Sequence, residues 1–219
     1  GLVLTLGLLQ SAVAADPAND VTTALQKFAT GEHRSAENIA RNQYRHPVET
    51  LSFFGIRPDM TVVEISPGGG GWYTEVLAPF LRTQGRLIAA NYDSGSEIEY
   101  YRMNAAKYLD KLKSRPDLYD QVSVIDFAPP KKSELAPAGS VDMVLTFRNV
   151  HNWINTGNEA QVFAAMFKAM KPGGTLGPVE HRGKPGMAVK AAAKAGYVAE
   201  AEVIRLAEQA GFKLADKSE

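Results

Sequence analysis

With 219 residues, 45% of them hydrophobic, the chain is long enough for one well-buried domain with appendages and short for two. Lys plus Arg equals Asp plus Glu at 24 each, so no basic field exists to meet a phosphate backbone and no nucleic-acid partner is expected. The absence of cysteine excludes disulfides, thiolate catalysis and thiolate metal sites.

Leu2 to Leu9 is an apolar run followed by Gln10-Ser11-Ala12-Val13-Ala14 and then Ala15-Asp16-Pro17. The small-x-small pattern Ala12-Val13-Ala14 reads as a secretory cleavage site, with residues 1–14 the remnant of a signal peptide cut after Ala14. An exported, periplasmic protein is the expectation, without membrane attachment after cleavage, since the apolar run is too short to span a bilayer. Residues 15–58 read as an N-terminal helical segment. Ala24, Leu25, Phe28 and Ala29 recur at helical spacing, Ser35 can start a second helix, and Pro47 and Gly55 fit the first turn and the C-terminal cap of a third. These helices are expected across one edge of the domain that follows. His46, beside Pro47, reads as a capping residue and His33 as a surface one.

From residue 59 to 219, strands and helices alternate. Strands are expected at 60–65, 86–91, 121–125, 141–146, 174–180 and 212–218, and helices near 72–82, 95–113, 157–170 and 198–210. Short apolar strands separated by helices predict an α/β fold of the Rossmann-like, doubly wound kind, its mainly parallel sheet covered on both faces. Ligands of such sheets bind beyond the carboxyl ends of the strands. The residues there are Ser66 to Gly71, Asn91 to Asp93, Asp126-Phe127, Phe147 to Trp153 and Glu180-His181.

The first of these segments is the most informative. Glu64-Ile65-Ser66-Pro67-Gly68-Gly69-Gly70-Gly71-Trp72 runs from an apolar strand through four glycines into a helix. Bare backbone can approach a ligand there, and the helix offers free N–H groups beyond it. No Gly-Lys-Ser/Thr follows, so this is not a nucleoside-triphosphate loop, and no Gly-x-Ser-x-Gly elbow exists for a hydrolase. The four His are scattered without ligand spacing, and no metal is expected. The stripe Val162, Phe163, Met166, Phe167 and Met170 reads as packing, and Lys131-Lys132 as a solvated pair.

Over roughly residues 44 to 219 this ordered set of elements resembles the class I S-adenosylmethionine-dependent methyltransferases. The resemblance implies that Glu64 with Ser66, Pro67, Gly68, Gly69, Gly70, Gly71 and Trp72 cradles the methionine end of the cofactor. Asn91 with Asp93 would hold the ribose, and Asp126-Phe127 the adenine. Phe147-Arg148-Asn149-Val150 is similar to a segment of ubiquinone and menaquinone biosynthesis methyltransferases, which adds Arg148 and Asn149 to the cofactor set. Lys171-Pro172-Gly173-Gly174 resembles the turn before the fifth strand. The leader, Pro67-Gly68-Gly69-Gly70-Gly71-Trp72-Tyr73-Thr74-Glu75 and His151-Asn152-Trp153 resemble a group of exported predicted methyltransferases. The chain departs from the pattern at Ser66, where a glycine is usual, and at Asn91, where an acid is usual. It also stops near the sixth strand, so the final antiparallel strand is expected to be missing.

The cofactor is S-adenosylmethionine and the acceptor a small molecule on this reading. His151, after the fourth strand, is the candidate base and His181, ending the fifth, flanks the pocket. Trp153 is a candidate wall of the acceptor pocket. Two alternatives compete: an exported binding protein or pseudoenzyme with this fold, and a nicotinamide-dependent oxidoreductase. The second lacks its pattern, because Gly-x-Gly-x-x-Gly read from Gly68 needs a glycine at Tyr73.

Overall fold

A computed structural model describes residues 17–219. The proposed leader, residues 1–14, lies outside the described residues. The chain begins with helices α1 (Pro17–Ala29), α2 (Ala36–Ala40), α3 (Asn42–Arg45) and α4 (Pro47–Phe53). The Ser35 hydroxyl caps α2 by accepting the Asn38 N–H at 3.2 Å, and His46, in the left-handed region at φ 43°, turns the chain from α3 into α4.

Beyond them come β1 (Thr61–Ile65), α5 (Thr74–Leu81), β2 (Arg86–Asn91), α6 (Glu99–Ser114), α7 (Pro116–Tyr119), β3 (Ser123–Asp126) and β4 (Val141–Phe147). The chain continues through α8 (Val150–Thr156), α9 (Glu159–Ala169), β5 (Met170–Val179), α10 (Val189–Lys194) and α11 (Glu200–Ala210). Among the described residues the sheet has five strands, all parallel, in the order β3-β2-β1-β4-β5. This is the doubly wound arrangement expected, with its switch point between β1 and β4.

Strand alternation builds two cores. Val62, Leu87, Met143 and Leu145 face one side and bury against Leu25, Leu51, Val76 and Leu77 of α1, α4 and α5. Val63, Ile65, Ile88 and Val144 face the other and bury against Trp153, Phe163, Met166 and Leu206 of α8, α9 and α11. The stripe of α9 is therefore packing, with Phe167 turned outward onto the Phe212 ring at 5.1 Å. Trp153 belongs to the same core, edge-on to Phe163 at 6.1 Å, and not to a pocket wall.

Several expectations change. The N-terminal helices cover a face of the sheet and not its edge, because their apolar side chains complete the core around Met143 and Leu145. Phe54 reaches as far as β5, where a Cβ on Gly177 would stand 2.8 Å from its ring. Residues 212–218 form no strand: Gly211 ends α11 at φ 112°, and Leu214 is 53% exposed with no strand partner. Lys171-Pro172-Gly173-Gly174 is an irregularity inside β5, since Val141 pairs with Met170 and Met143 with Thr175. Proline is tolerated there because β5 is an edge strand. Gly174 is required, as a Cβ would meet Met170 Cγ at 2.5 Å and the Asp142 carbonyl at 2.9 Å.

A candidate strand-end site

The glycine turn leaves β1 through strained backbone. Ser66 has φ 49°, a conformation a non-glycine residue adopts only under constraint, and its N–H bonds the Ala90 carbonyl at 2.8 Å. Gly68 and Gly71 also have positive φ. The turn is braced from α6: Asn104 Oδ1 accepts the Gly69 N–H at 3.2 Å, and Gly71 lies against the Tyr108 ring. Gly68 and Gly70 differ, because an added Cβ at either would meet nothing within 4 Å. Open space therefore stands over bare backbone at these two residues. Pro67 sits between them and β1, half-buried.

Glu64 shares the strand parity of Val62, so its side chain enters the face occupied by α5 and α6. It is 1% exposed and accepts the Thr74 hydroxyl at 2.6 Å, while Tyr108 lies 3.0 Å from the same Thr74 oxygen. Burial pushes its carboxyl up to about 7, against the lowering effect of the Thr74 bond. The acid thus supports the turn from beneath.

Asn91, at the end of β2, is also 1% exposed. Its Oδ1 accepts the Tyr92 N–H at 2.9 Å and its Nδ2 faces the Ala105 carbonyl at 3.4 Å, so its amide is committed within the protein. The neighbouring acids carry the polar chemistry of this half. Lys132 bridges Asp93 at 2.7 Å and Asp126 at 2.8 Å, and Ser94 donates to Asp126 from both its N–H and its hydroxyl. The Asp126 carboxyl is lowered: burial opposes this, but Lys132 and Ser94 outweigh it. Lys132 is thus an ion-pair bridge and not a free loop charge. Phe127 is 6% exposed and part of the sheet core.

Trp72 turns toward the N-terminal helices. Its Nε1–H donates to the Asn38 carbonyl at 3.1 Å, and the Arg34 and Arg45 guanidiniums lie over its ring. Arg34 is buried and pairs with Glu75 at 2.8 Å, with Lys111 as a second cation on the same carboxylate. His33, expected on the surface, has Nε2 2.8 Å from the Glu75 carbonyl.

The β4–β5 half holds a different set. Asn149 ties the strand ends together, donating to the Ile65 carbonyl and to Thr146 Oγ1 at 3.1 Å each. Arg148 is held at φ 66° with its N–H on the Val179 carbonyl. The register Phe147↔Val179 places the residues after the two strands side by side, and there Glu180 joins Arg148 and His151. Glu180 Oε1 accepts from Arg148 Nε at 3.1 Å, and Oε2 lies 2.9 Å from His151 Nδ1 while also accepting the His151 N–H at 3.0 Å. An ionised carboxylate only accepts, so Nδ1 carries the proton and Nε2 keeps its lone pair in the neutral ring. The His151 side chain stays 14% exposed. His181 is exposed and lies 5.8 Å from the Tyr197 ring, outside this cluster.

Glu180 is marked by the sequence only as a residue following the fifth strand, without a role or a partner. Adjacency of the fourth and fifth strands is the information that links it to His151. Two surface hollows, about 290 Å³ beside α9 and 220 Å³ beside α4, are lined by residues other than Arg148, His151 and Glu180.

No family model and no curated protein matches the chain. Solved structures do match. A methyltransferase dependent on S-adenosylmethionine from Aquifex aeolicus aligns with TM-score 0.59 and 18% identity, over 89% of this chain and 90% of that one. The cyclase SpnF aligns with TM-score 0.61 and 15% identity, over 94% and 77%. Phosphoethanolamine N-methyltransferase 2 of Haemonchus contortus, solved with S-adenosylhomocysteine, aligns with TM-score 0.58 and 14% identity, over 89% and 42%. At these identities the likeness establishes architecture: the chain has the class I S-adenosylmethionine-dependent methyltransferase fold.

Proposed function

We propose that the protein is an S-adenosylmethionine-dependent methyltransferase acting on a small molecule, made with a cleaved leader and working in the periplasm. The observation that carries this reading is the pairing, at one end of the sheet, of an open glycine turn with a carboxylate-held histidine. The turn fits the cofactor, because a Cβ at Gly68 or Gly70 would occupy space that backbone now leaves free. Gly68 and Gly70 would hold the methionine end, and Asp93 and Asp126 the ribose and adenine end.

The bound cofactor supplies a methyl group already made electrophilic by its sulfonium. What remains for the protein is positioning and proton removal. Glu180 fixes the ring of His151 and the tautomer it presents, leaving Nε2 to take a proton from the acceptor. Arg148 holds the other oxygen of Glu180 and keeps that carboxylate from rotating away. Asn149 locks the ends of β1 and β4, so the turn and the histidine keep their relative position.

A second reading has its own support. Asn91 is committed within the protein, Lys132 occupies both acids, and a cyclase shares the fold. A binding protein or an enzyme of other chemistry would suit these facts.

Calorimetry of residues 15–219 with S-adenosylhomocysteine, followed by transfer of labelled methyl to periplasmic extract, separates the two. Saturable binding with label transferred supports the methyltransferase. Binding without transfer supports the second reading, and no binding removes both cofactor-based readings. Mass spectrometry of the periplasmic fraction, expected to show an N-terminus at Ala15, tests the location.

A further inference from the structure

Two guanidiniums share one indole, and only one of them is neutralised. Arg34 Cζ lies 4.5 Å from the Trp72 ring centroid and Arg45 Cζ lies 4.8 Å from it. Arg34 is 4% exposed and commits its nitrogens to Glu75, the Ala29 carbonyl and Asn42. Arg45 is half-buried, and among the described residues no carboxylate or carbonyl accepts from its guanidinium.

Three guanidiniums bear on Arg45, and of these Arg34 and Arg148 are paired with Glu75 and Glu180, while Arg41 forms no ion pair among the described residues. Burial first, then the guanidinium of Arg41, hold Arg45 below its ordinary value, with Arg148 and Arg34 adding to the effect and Tyr73 opposing it. Arg41 is exposed. Half-desolvating a cation beside others of like sign is unfavourable unless a counter-charge completes the group. Packing on an indole offsets part of that and supplies no hydrogen-bond acceptor.

Arg45 is also linked to the end of β4 through Tyr73. Its carbonyl accepts from the Tyr73 hydroxyl at 3.2 Å, and Tyr73 stacks on Phe147 with centroids 3.5 Å apart. Phe147 ends β4, and the next residue, Arg148, leads to Glu180 and His151. A planar guanidinium presents two parallel N–H groups, the geometry of a carboxylate or a phosphate.

We infer that the methyl acceptor carries an oxyanion, a carboxylate or a phosphate, gripped by the Arg45 fork with Arg41 contributing field. The word acceptor rests on the methyltransferase reading, whereas the anion site itself does not.

The test titrates residues 15–219 with inorganic phosphate and separately with acetate, at ionic strength held constant with sodium chloride, with and without saturating S-adenosylhomocysteine. Saturable binding of one of the two in the millimolar range, about −4 kcal/mol, is expected, and which of them binds tells phosphate from carboxylate. Arg45→Met, which keeps an apolar stem over Trp72, is expected to weaken that binding at least about tenfold, ~1.4 kcal/mol, with S-adenosylhomocysteine affinity unchanged. Arg45→Lys keeps charge and stem, loses the fork, and should fall between the two; it also serves if Arg45→Met does not fold. Binding of neither anion to the unmodified protein overturns the inference, as does equal binding by both variants. Anion binding lost in Arg45→Met, together with no S-adenosylhomocysteine binding at all, leaves the anion site standing and removes the methyltransferase reading.

Discussion

The crevice above the sheet has two unlike halves. Over β1, β2 and β3 the motif residues are braced or engaged: Glu64 is buried under the turn, Asn91 is committed within the protein, and Lys132 bridges Asp93 and Asp126. Over β4 and β5 the sequence marks Arg148 and His151 separately, and the structure joins them through Glu180 into a connected set. The half that identifies the fold is thus the less conventional one for binding. The other half joins a histidine, a carboxylate and a guanidinium that lie far apart in the chain.

The largest effect should come from the second half. His151→Ala is expected to lower kcat about 10²–10⁴-fold, as loss of a general base does, with S-adenosylhomocysteine affinity unchanged. Glu180→Gln should lower kcat with it while leaving Tm nearly constant. If turnover survives both, the β4–β5 cluster is structural and the comparison collapses.

Glu64 offers a stability test of the first half. Its folded value, about 7, lies above the ordinary 4.5, so the folded state holds its proton more tightly than the unfolded one. The associated stability is therefore complete below pH 4.5 and is lost as pH rises through about 7, amounting to on the order of 3 kcal/mol. The difference in unfolding free energy between Glu64→Gln and the unmodified protein should grow in favour of the variant across that window. A difference independent of pH would show that Glu64 titrates normally.

Gly70→Val separates folding from binding more cleanly than any other turn substitution, because nothing stands within 4 Å of the added Cβ and, unlike Gly68, Gly70 is not at positive φ. Tm should hold while S-adenosylhomocysteine binding weakens at least about a hundredfold, ~2.8 kcal/mol. Retained affinity would make the turn purely structural.

The smallest effect concerns the exposed bridge. Lys132→Ala should change stability by less than about 1 kcal/mol, as for exposed ion pairs, while tightening S-adenosylhomocysteine binding severalfold by freeing Asp93 and Asp126. Weaker binding instead would make Lys132 a direct ligand of the cofactor.

Local pattern made the sheet legible. β1, β2 and β4 fall within a residue or two of expectation, because their apolar runs are buried on both faces and leave no alternative. The segment 212–218 shows the limit of pattern: its alternation suits a strand, but no strand runs alongside it to accept its hydrogen bonds. In the site, the glycine turn could be read because glycine constrains backbone locally. The roles of Glu180, Arg45 and Lys132 could not, since each depends on a partner brought near only by the register of two strands or the fold-back of a helix. Trp72 and Asn91 were legible as residues at the site but not in their orientation, which Asn38 and Ala105 decide from distant parts of the chain.

The buried pair of Arg34 and Glu75 binds α5 to the loop that precedes α2. Removing the N-terminal helices would strand that carboxylate, leaving Lys111 as its remaining cation, and losing one member of a buried pair costs about 3–5 kcal/mol. Arg34 and Glu75 thus tie the residues on the two sides of position 58 together. Helices and sheet should melt in a single cooperative transition, and any variation of the wall they form must proceed around Arg34, the rivet that makes the wall part of the foundation.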